Sequence, residues 1–415
     1  MNKSPEQLYT EREKRVNDAI QLKVPDRVPV MSLFGFSPAR YKDITFQEAM
    51  YDYDKVMTTW VDTMLEFQPD TVENPFFYLF FGSVLDALEY KQLKWPGRGV
   101  DVTHSFQYIE GEYMKADEYD DFLFDPTDFM IRKYWPRIFG ALDPFGKLPH
   151  LSDIISYSIG LPRLASFDTP DISQALESIM KAAKAAQRMI SGGKKFDKKI
   201  KALGFPPQWG AMTQAPFDTL SDFFRGTKGT MLDMFRMPDK VIEAAEKLLP
   251  IMLRLGLTAG KRGVSRVFIP LHKGLDGFMS PEQFNSFFWP TLRKLITGLM
   301  DGGLNPCLLW EGDCSSRLET IADIPKGKAI YWFERTDVFK AKEILGDRVC
   351  IRGNVPLSIM CTGTPDDVKK YCKKLIDIVG KGGGLIMDCS TVMDDAKPEN
   401  LKAMIDFTKE YGVYT

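Results

Sequence analysis

Apolar residues fall into short runs toward the end of the chain: PCLLWEGD (306–313), AIYWFER (329–335), VCIRGNVP (349–356) and GLIMDCS (384–390). Each run is rich in β-branched or aromatic residues, closes on a polar cluster and leads into a helical stretch. That alternation predicts parallel strands linked by helices, with chemistry gathered at the carboxyl ends of the strands. VPVMSL (28–33), DTVEN (70–74), QWGAMT (208–213) and VSRVFIPLH (264–272) extend the set upstream. Helices are predicted over about 5–21, 46–67, 173–191, 239–260, 281–301, 365–379 and 398–411, with shorter ones near 117–123, 127–139, 217–224 and 315–322.

Their starts are written in the sequence. Ser4-Pro5-Glu6-Gln7 and Ser280-Pro281-Glu282-Gln283 use one device twice: serine caps, proline takes the first helical position, and glutamine reaches back to the cap amide. Thr45-Phe46-Gln47-Glu48 and Thr364-Pro365-Asp366-Asp367 are close variants. Eight strands alternating with helices over 415 residues predict an α/β fold, a closed (β/α)8 TIM-type barrel, over an open sheet. The expected layout is one domain over 1–415, with a helical lead and first strand in 1–67 and an insertion over about 75–170. The lysine-rich SGGKKFDKKIKALG (191–204) reads as a solvated connection.

Composition narrows the function classes. A formal charge of −2, with no basic stripe carrying interleaved aromatics, leaves no footprint for nucleic acid. No apolar run approaches the length of a membrane span and the first residues are charged, so the expected compartment is the cytoplasm. The six cysteines (307, 314, 350, 361, 372, 389) lie in the last quarter without a CxxC pair, which favours reduced thiols over a disulfide framework.

Candidate chemistry sits at the strand ends. His272, Glu311 and Cys389 each end a predicted strand. An imidazole, a carboxylate and a thiolate converging above a barrel are legitimate zinc ligands, and three of them leave a fourth position open. Glu311 reads equally as a general acid, and Cys389 as a packed thiol. Asp313, Glu334, Arg335, Asp337, Arg352, Asn354 and Asp388 are the other polar strand-end groups. They suit either acid–base work on a polar substrate, with Glu311, Asp313 and Asp388 as the catalytic candidates, or a structural ion-pair ring. The run Phe76-Phe77-Tyr78-Leu79-Phe80-Phe81, with Trp209 and Phe217, fits core packing or the wall of an apolar pocket, with Phe77 and Trp209 as candidate substrate contacts. His104 and His150, inside the insertion, read as ordinary surface or core histidines.

GDRVCIRGNVPLSIMCTGTPDDV (346–368), the following glycine run and PENLKAM (398–404), with weaker echoes in PDRVPV (25–30), PARY (38–41), APFDTLSDFFRG (215–226) and MSPEQFNSFFWPTLRKLI (279–296), resemble the uroporphyrinogen decarboxylase superfamily. The similarity covers most of the chain, and that superfamily includes methyltransferases that work with cobalamin (corrinoid) cofactors. The resemblance implies a (β/α)8 barrel, in agreement with the alternation. It also implies specific departures. The histidine that the decarboxylases carry near DCSTVMDD (388–395) is absent, and their arginine-rich N-terminal substrate loop is reduced to Arg40 and Tyr41. The zinc-binding His-x-Cys pair of the methyltransferases corresponds to Leu309-Trp310-Glu311, while their second cysteine matches Cys389.

The implied activity is methyl transfer between a small, apolar or aromatic substrate and a corrinoid on a separate protein, with zinc in a rebuilt site. Arg40, Tyr41, Phe77, Trp209, Glu334, Arg335 and Asn354 are the expected substrate contacts. The alternatives are decarboxylation of uroporphyrinogen or a smaller carboxylic acid, and a non-catalytic corrinoid- or tetrapyrrole-binding barrel. The resemblance implies a monomer or homodimer.

Overall fold

The computed structural model describes residues 3–79 and 81–415; Phe80 of the aromatic run lies outside the described residues. The capping devices form as the sequence predicts. Ser4 Oγ accepts from the Gln7 N–H at 3.3 Å while Gln7 Oε1 accepts from the Ser4 N–H at 2.8 Å, starting helix α1 (Pro5–Ile20). The same reciprocal box opens the helices beginning at Phe46, Pro281 and Pro365. Each such cap contributes about 1 kcal/mol.

Two sheets are present among the described residues. β1 (Leu93–Pro96), β2 (Gly99–Val100) and β3 (Gln107–Tyr108) make a small sheet apart from the barrel strands. β4 (Ala211–Met212), β5 (Arg266–Leu271), β6 (Asn305–Trp310), β7 (Ile330–Phe333), β8 (Cys350–Arg352) and β9 (Leu385–Ile386) pair in that order, all parallel. Single parallel bridges complete the circuit: Val30 with Met387, Met31 with Thr71, and Val72 with Pro207. Eight strand positions therefore close into an α/β TIM-type barrel.

Helix α1 covers its amino-terminal end. Val16, Ala19 and Ile20 pack in one buried cluster with Met31, Cys307, Ile330, Cys350 and Ile386. Arg266, fully buried at the start of β5, fixes the helix by two 2.9 Å bonds to Glu13 and by bonds to the Gln208 and Pro207 carbonyls. Asp70 takes guanidinium hydrogens from Arg15 and Arg27 on the same side. Closing this end leaves the carboxyl-terminal mouth for ligands.

Two predicted elements differ in the structure. The lysine-rich segment 191–204 is almost wholly helical, inside the Pro170–Ala202 helix. Its buried residues Ile172, Ala175, Ala182, Ala185, Gly193, Phe196 and Ile200 keep a helical spacing across the supposed break, and the lysines face solvent. The glycine pair is there for packing: a Cβ on Gly192 would come within 2.4 Å of the Phe76 ring. The stretch 46–67 is two helices, because Asp52 ends the first and its Oδ1 caps the second at Lys55 N, 3.0 Å away. His104 and His150 lie exposed, as expected.

Candidate active site

The barrel interior above α1 is filled by stacked aromatics around one cation. Trp209 stacks on Phe268 with centroids 5.0 Å apart. The Arg352 guanidinium lies 4.9 Å from the Trp209 ring and 4.0 Å from that of Trp332. Arg352 and Asp388 are both fully buried, and they pair through Nε and Nη2 at 2.9 and 2.8 Å. Burial pushes the Asp388 carboxyl up, to about 7, against the pull of Arg352 and of the Cys389 N–H. Gln208, oriented to satisfy both its neighbours, accepts from Arg352 Nη2 at 2.8 Å and donates to Ser32 O at 3.2 Å.

Against Trp209 and Phe268 of this layer lies a mostly apolar cavity of about 320 Å³, whose wall also includes Leu33, Phe77, Tyr78 and Val392. Arg262 is the one cation among its described lining residues, and it lies 4.6 Å from the Phe77 ring. Asn74 also reaches the wall, and the preceding residue, Glu73, is buried behind it. The Phe34 N–H and the Tyr78 hydroxyl donate to Glu73 Oε1 at 2.7 and 3.0 Å.

A second cluster sits at the mouth, where β5 and β6 end side by side. His272 Nδ1 lies 2.5 Å from Asp222 Oδ2, and its Nε2 faces Glu311 at 3.6 Å. Asp218 accepts from the backbone N–H groups of His272 and Lys273 at 3.0 and 2.9 Å, fixing the turn. Lys273 Nζ lies 3.3 Å from the other Asp222 oxygen. Burial disfavours the charged ring, but Asp222 and Glu311 outweigh it and push the imidazole up to about 11. The Asp218 carboxyl rises to about 7, through burial first and the Asp222 charge second. His272 is therefore a fixed imidazolium at neutral pH.

The profile described as Uroporphyrinogen decarboxylase (URO-D) matches residues 163–411, more than half of the chain. The chain belongs to the uroporphyrinogen decarboxylase family. The uroporphyrinogen decarboxylase of Chlorobium phaeobacteroides is 23% identical over 270 residues, 63% of this chain and 72% of that protein. Its counterpart from Pseudoalteromonas atlantica is 22% identical over 255 residues, 60% and 68% of the two chains. A methyltransferase from Methanosarcina mazei shares the fold over 96% of this chain and 98% of its own, with a TM-score of 0.63 at 15% identity.

Within this uroporphyrinogen decarboxylase-family barrel, the residues singled out from sequence separate into two groups. His272 and Glu311 meet at the mouth, and Trp209 and Phe77 line the cavity. The expected zinc trio of His272, Glu311 and Cys389 does not assemble. Among the described residues, no three His, Cys, Asp or Glu side chains are placed to hold a metal ion. The reason is strand alternation: Asp388 points inward to Arg352, so Cys389 points out. There its thiol is buried, feels Cys372 of the Pro365–Ile378 helix, and is pushed up to about 12 by desolvation.

Asn354 also faces the outer layer, accepting from the Tyr371 hydroxyl at 3.3 Å. Asp313 caps its own turn, taking the Ser315 N–H and hydroxyl at 2.9 and 2.6 Å. Arg40 is committed to Asp395 at 2.5 Å and Tyr41 to the Ala396 carbonyl at 2.8 Å, which leaves neither aimed at the cavity. Glu334 and Arg335 lie together on the rim, 3.6 Å apart, with Arg335 exposed. Sequence reasoning missed Asp222 and Glu73. Asp222 lies on a helical segment that only the tertiary fold brings to His272. Glu73 ends the 70–74 run, and that strand-end position was its one available signal. Of the six unpaired cysteines, Cys361 alone is more than marginally accessible. A thiol titration of the native protein is expected to modify about one cysteine per chain, and ready labelling of Cys389 would contradict its burial.

Proposed function

We propose that this protein transfers a methyl group between a small apolar or aromatic substrate and a corrinoid carried on a separate protein. The observation that carries this reading is the cavity. At about 320 Å³, it stands at the small end of ligand sites, which span roughly 300–1,000 Å³. Its wall is aromatic and aliphatic, with Arg262 as its cation. A porphyrinogen with four or eight carboxylates would need more room and several cations. The fold likeness to a methyltransferase supports the same direction.

The residues do not fit the zinc site of the superfamily's methyltransferases, and no step is assigned to a metal. The corrinoid would donate or accept the methyl group. The chain's own residues bind and orient the substrate against Trp209, Phe77 and Phe268, and exclude water from it. His272, held charged by Asp222, would be the fixed cation of the barrel mouth. Arg335, exposed on the rim, and the half-buried Glu311 stand where a partner protein would approach.

Single-turnover assays with cob(I)alamin and a panel of methyl ethers and methylamines test the proposal. Methylcobalamin should form with at least one small aromatic member, and Trp209→Ala should reduce it. Absence of methylcobalamin across the panel would reject methyl transfer. Arg262 at the cavity favours a second reading, decarboxylation of a small carboxylic acid. Carbon dioxide release that is lost in Arg262→Gln would establish it instead.

A further inference from the structure

A second hollow opens between the Pro238–Lys261 helix and the 126–135 stretch, and it shares no lining residue with the barrel cavity. It measures about 600 Å³, within the roughly 300–1,000 Å³ of ligand sites. Two π-helical turns, Met130–Tyr134 and Leu220–Arg225, both contribute to its wall. Such turns are rare and recur at functional sites. One side is fixed by stacked rings. Tyr134 and Phe224 lie 4.5 Å apart between centroids, and Phe122 lies 5.5 Å from Phe224. All three are buried, so this apolar surface is built before any ligand arrives.

The hydroxyls of the stacked side are spent internally. Tyr134 donates to Gln92 Oε1 at 3.3 Å, and Thr219 donates to the Ala215 carbonyl at 3.1 Å. Arg254 is the single charged group among the described lining residues. Among the described residues its guanidinium meets no carboxylate, carbonyl or ring. Lys240 and Glu246 of the same helix are paired, with Asp120 and Lys294. A bare guanidinium beside aromatic and aliphatic surface selects a ligand with an apolar body and one anionic end. Burying the body releases water, and the planar fork takes both oxygens of a carboxylate.

We infer that this hollow is a second binding site, for a small apolar carboxylic acid. Its carboxylate pairs with Arg254, and its body lies against Trp135, Phe223 and Ile251. The site does not depend on the methyl-transfer reading. Phe223 and Phe224 directly follow Asp222, so the bound acid rests on the turn that holds His272.

Isothermal titration calorimetry on the whole protein tests this with octanoate, its neutral counterpart octanamide, and acetate. Octanoate should bind about 10-fold more tightly than octanamide, the scale of one charge-assisted contact. Acetate, the same head without the body, should not bind at the same concentrations. Arg254→Gln, at an exposed position, should bring octanoate down to the affinity of octanamide, and Arg254→Lys should keep part of the preference. Arg262→Gln should leave octanoate binding unchanged, which separates this site from the barrel cavity. Equal affinity for octanoate and octanamide, or no binding of either, would overturn the inference. So would octanoate binding that is lost in Arg262→Gln and kept in Arg254→Gln, because the acid would then occupy the barrel cavity.

Discussion

Arg352→Leu is expected to destabilise the protein by about 3–5 kcal/mol, the usual cost of removing one partner from a buried ion pair. The substitution leaves Asp388 Oδ2 without the two Arg352 donors and empties the space between the Trp209 and Trp332 rings. Replacing both partners, Arg352→Leu with Asp388→Leu, should cost much less, because no uncompensated charge remains. Urea denaturation of the three proteins measures the difference. A double variant as unstable as the single one would show that shape, rather than the stranded charge, carries the effect.

Asp222→Asn is expected to lower methyl transfer about 10-fold, because the mouth loses the fixed charge that would meet an approaching partner. Asp222 is the group that holds His272 charged, so in the variant the ring should titrate well below its value of about 11. The residual activity should then fall as pH rises through that lowered value. Stability carries the same signature. A group whose folded pKa is raised adds stability that is whole below its unfolded value, about 6.5, and drains away as pH rises through the folded one. For wild type that loss extends to about pH 11, and in Asp222→Asn it should be complete sooner. NMR titration of the His272 ring decides it. An imidazole whose pKa does not move would remove Asp222 from this role.

How far the sequence led differs between fold and site. All eight strand positions were legible, because each apolar run ends in polar residues at the mouth. The small sheet of β1, β2 and β3 was not: strands of two to four residues leave no period to read. The lysine-rich helix was obscured by its glycines, whose reason is Phe76, far away in sequence. At the site, His272 and Glu311 were legible as a pair because β5 and β6 are neighbours. Cys389 was misplaced because a strand-end residue faces inward or outward by alternation, and only the partner of Asp388 fixes which. Asp222 needed the whole barrel to be built.

The barrel is closed unevenly. β5 and β6 share six paired positions, whereas 28–33, 70–74 and the stretch before β4 are joined by single bridges. The circuit thus has a stiff arc and a soft seam, and the seam includes Leu33, Asn74 and Trp209, part of the cavity wall. The family profile begins at residue 163, past the first two strands of that seam. His272 and Glu311 stand on the stiff arc, just past strands that the family profile covers. The soft side can be altered residue by residue at little mechanical cost, without disturbing the charged pair on the stiff arc.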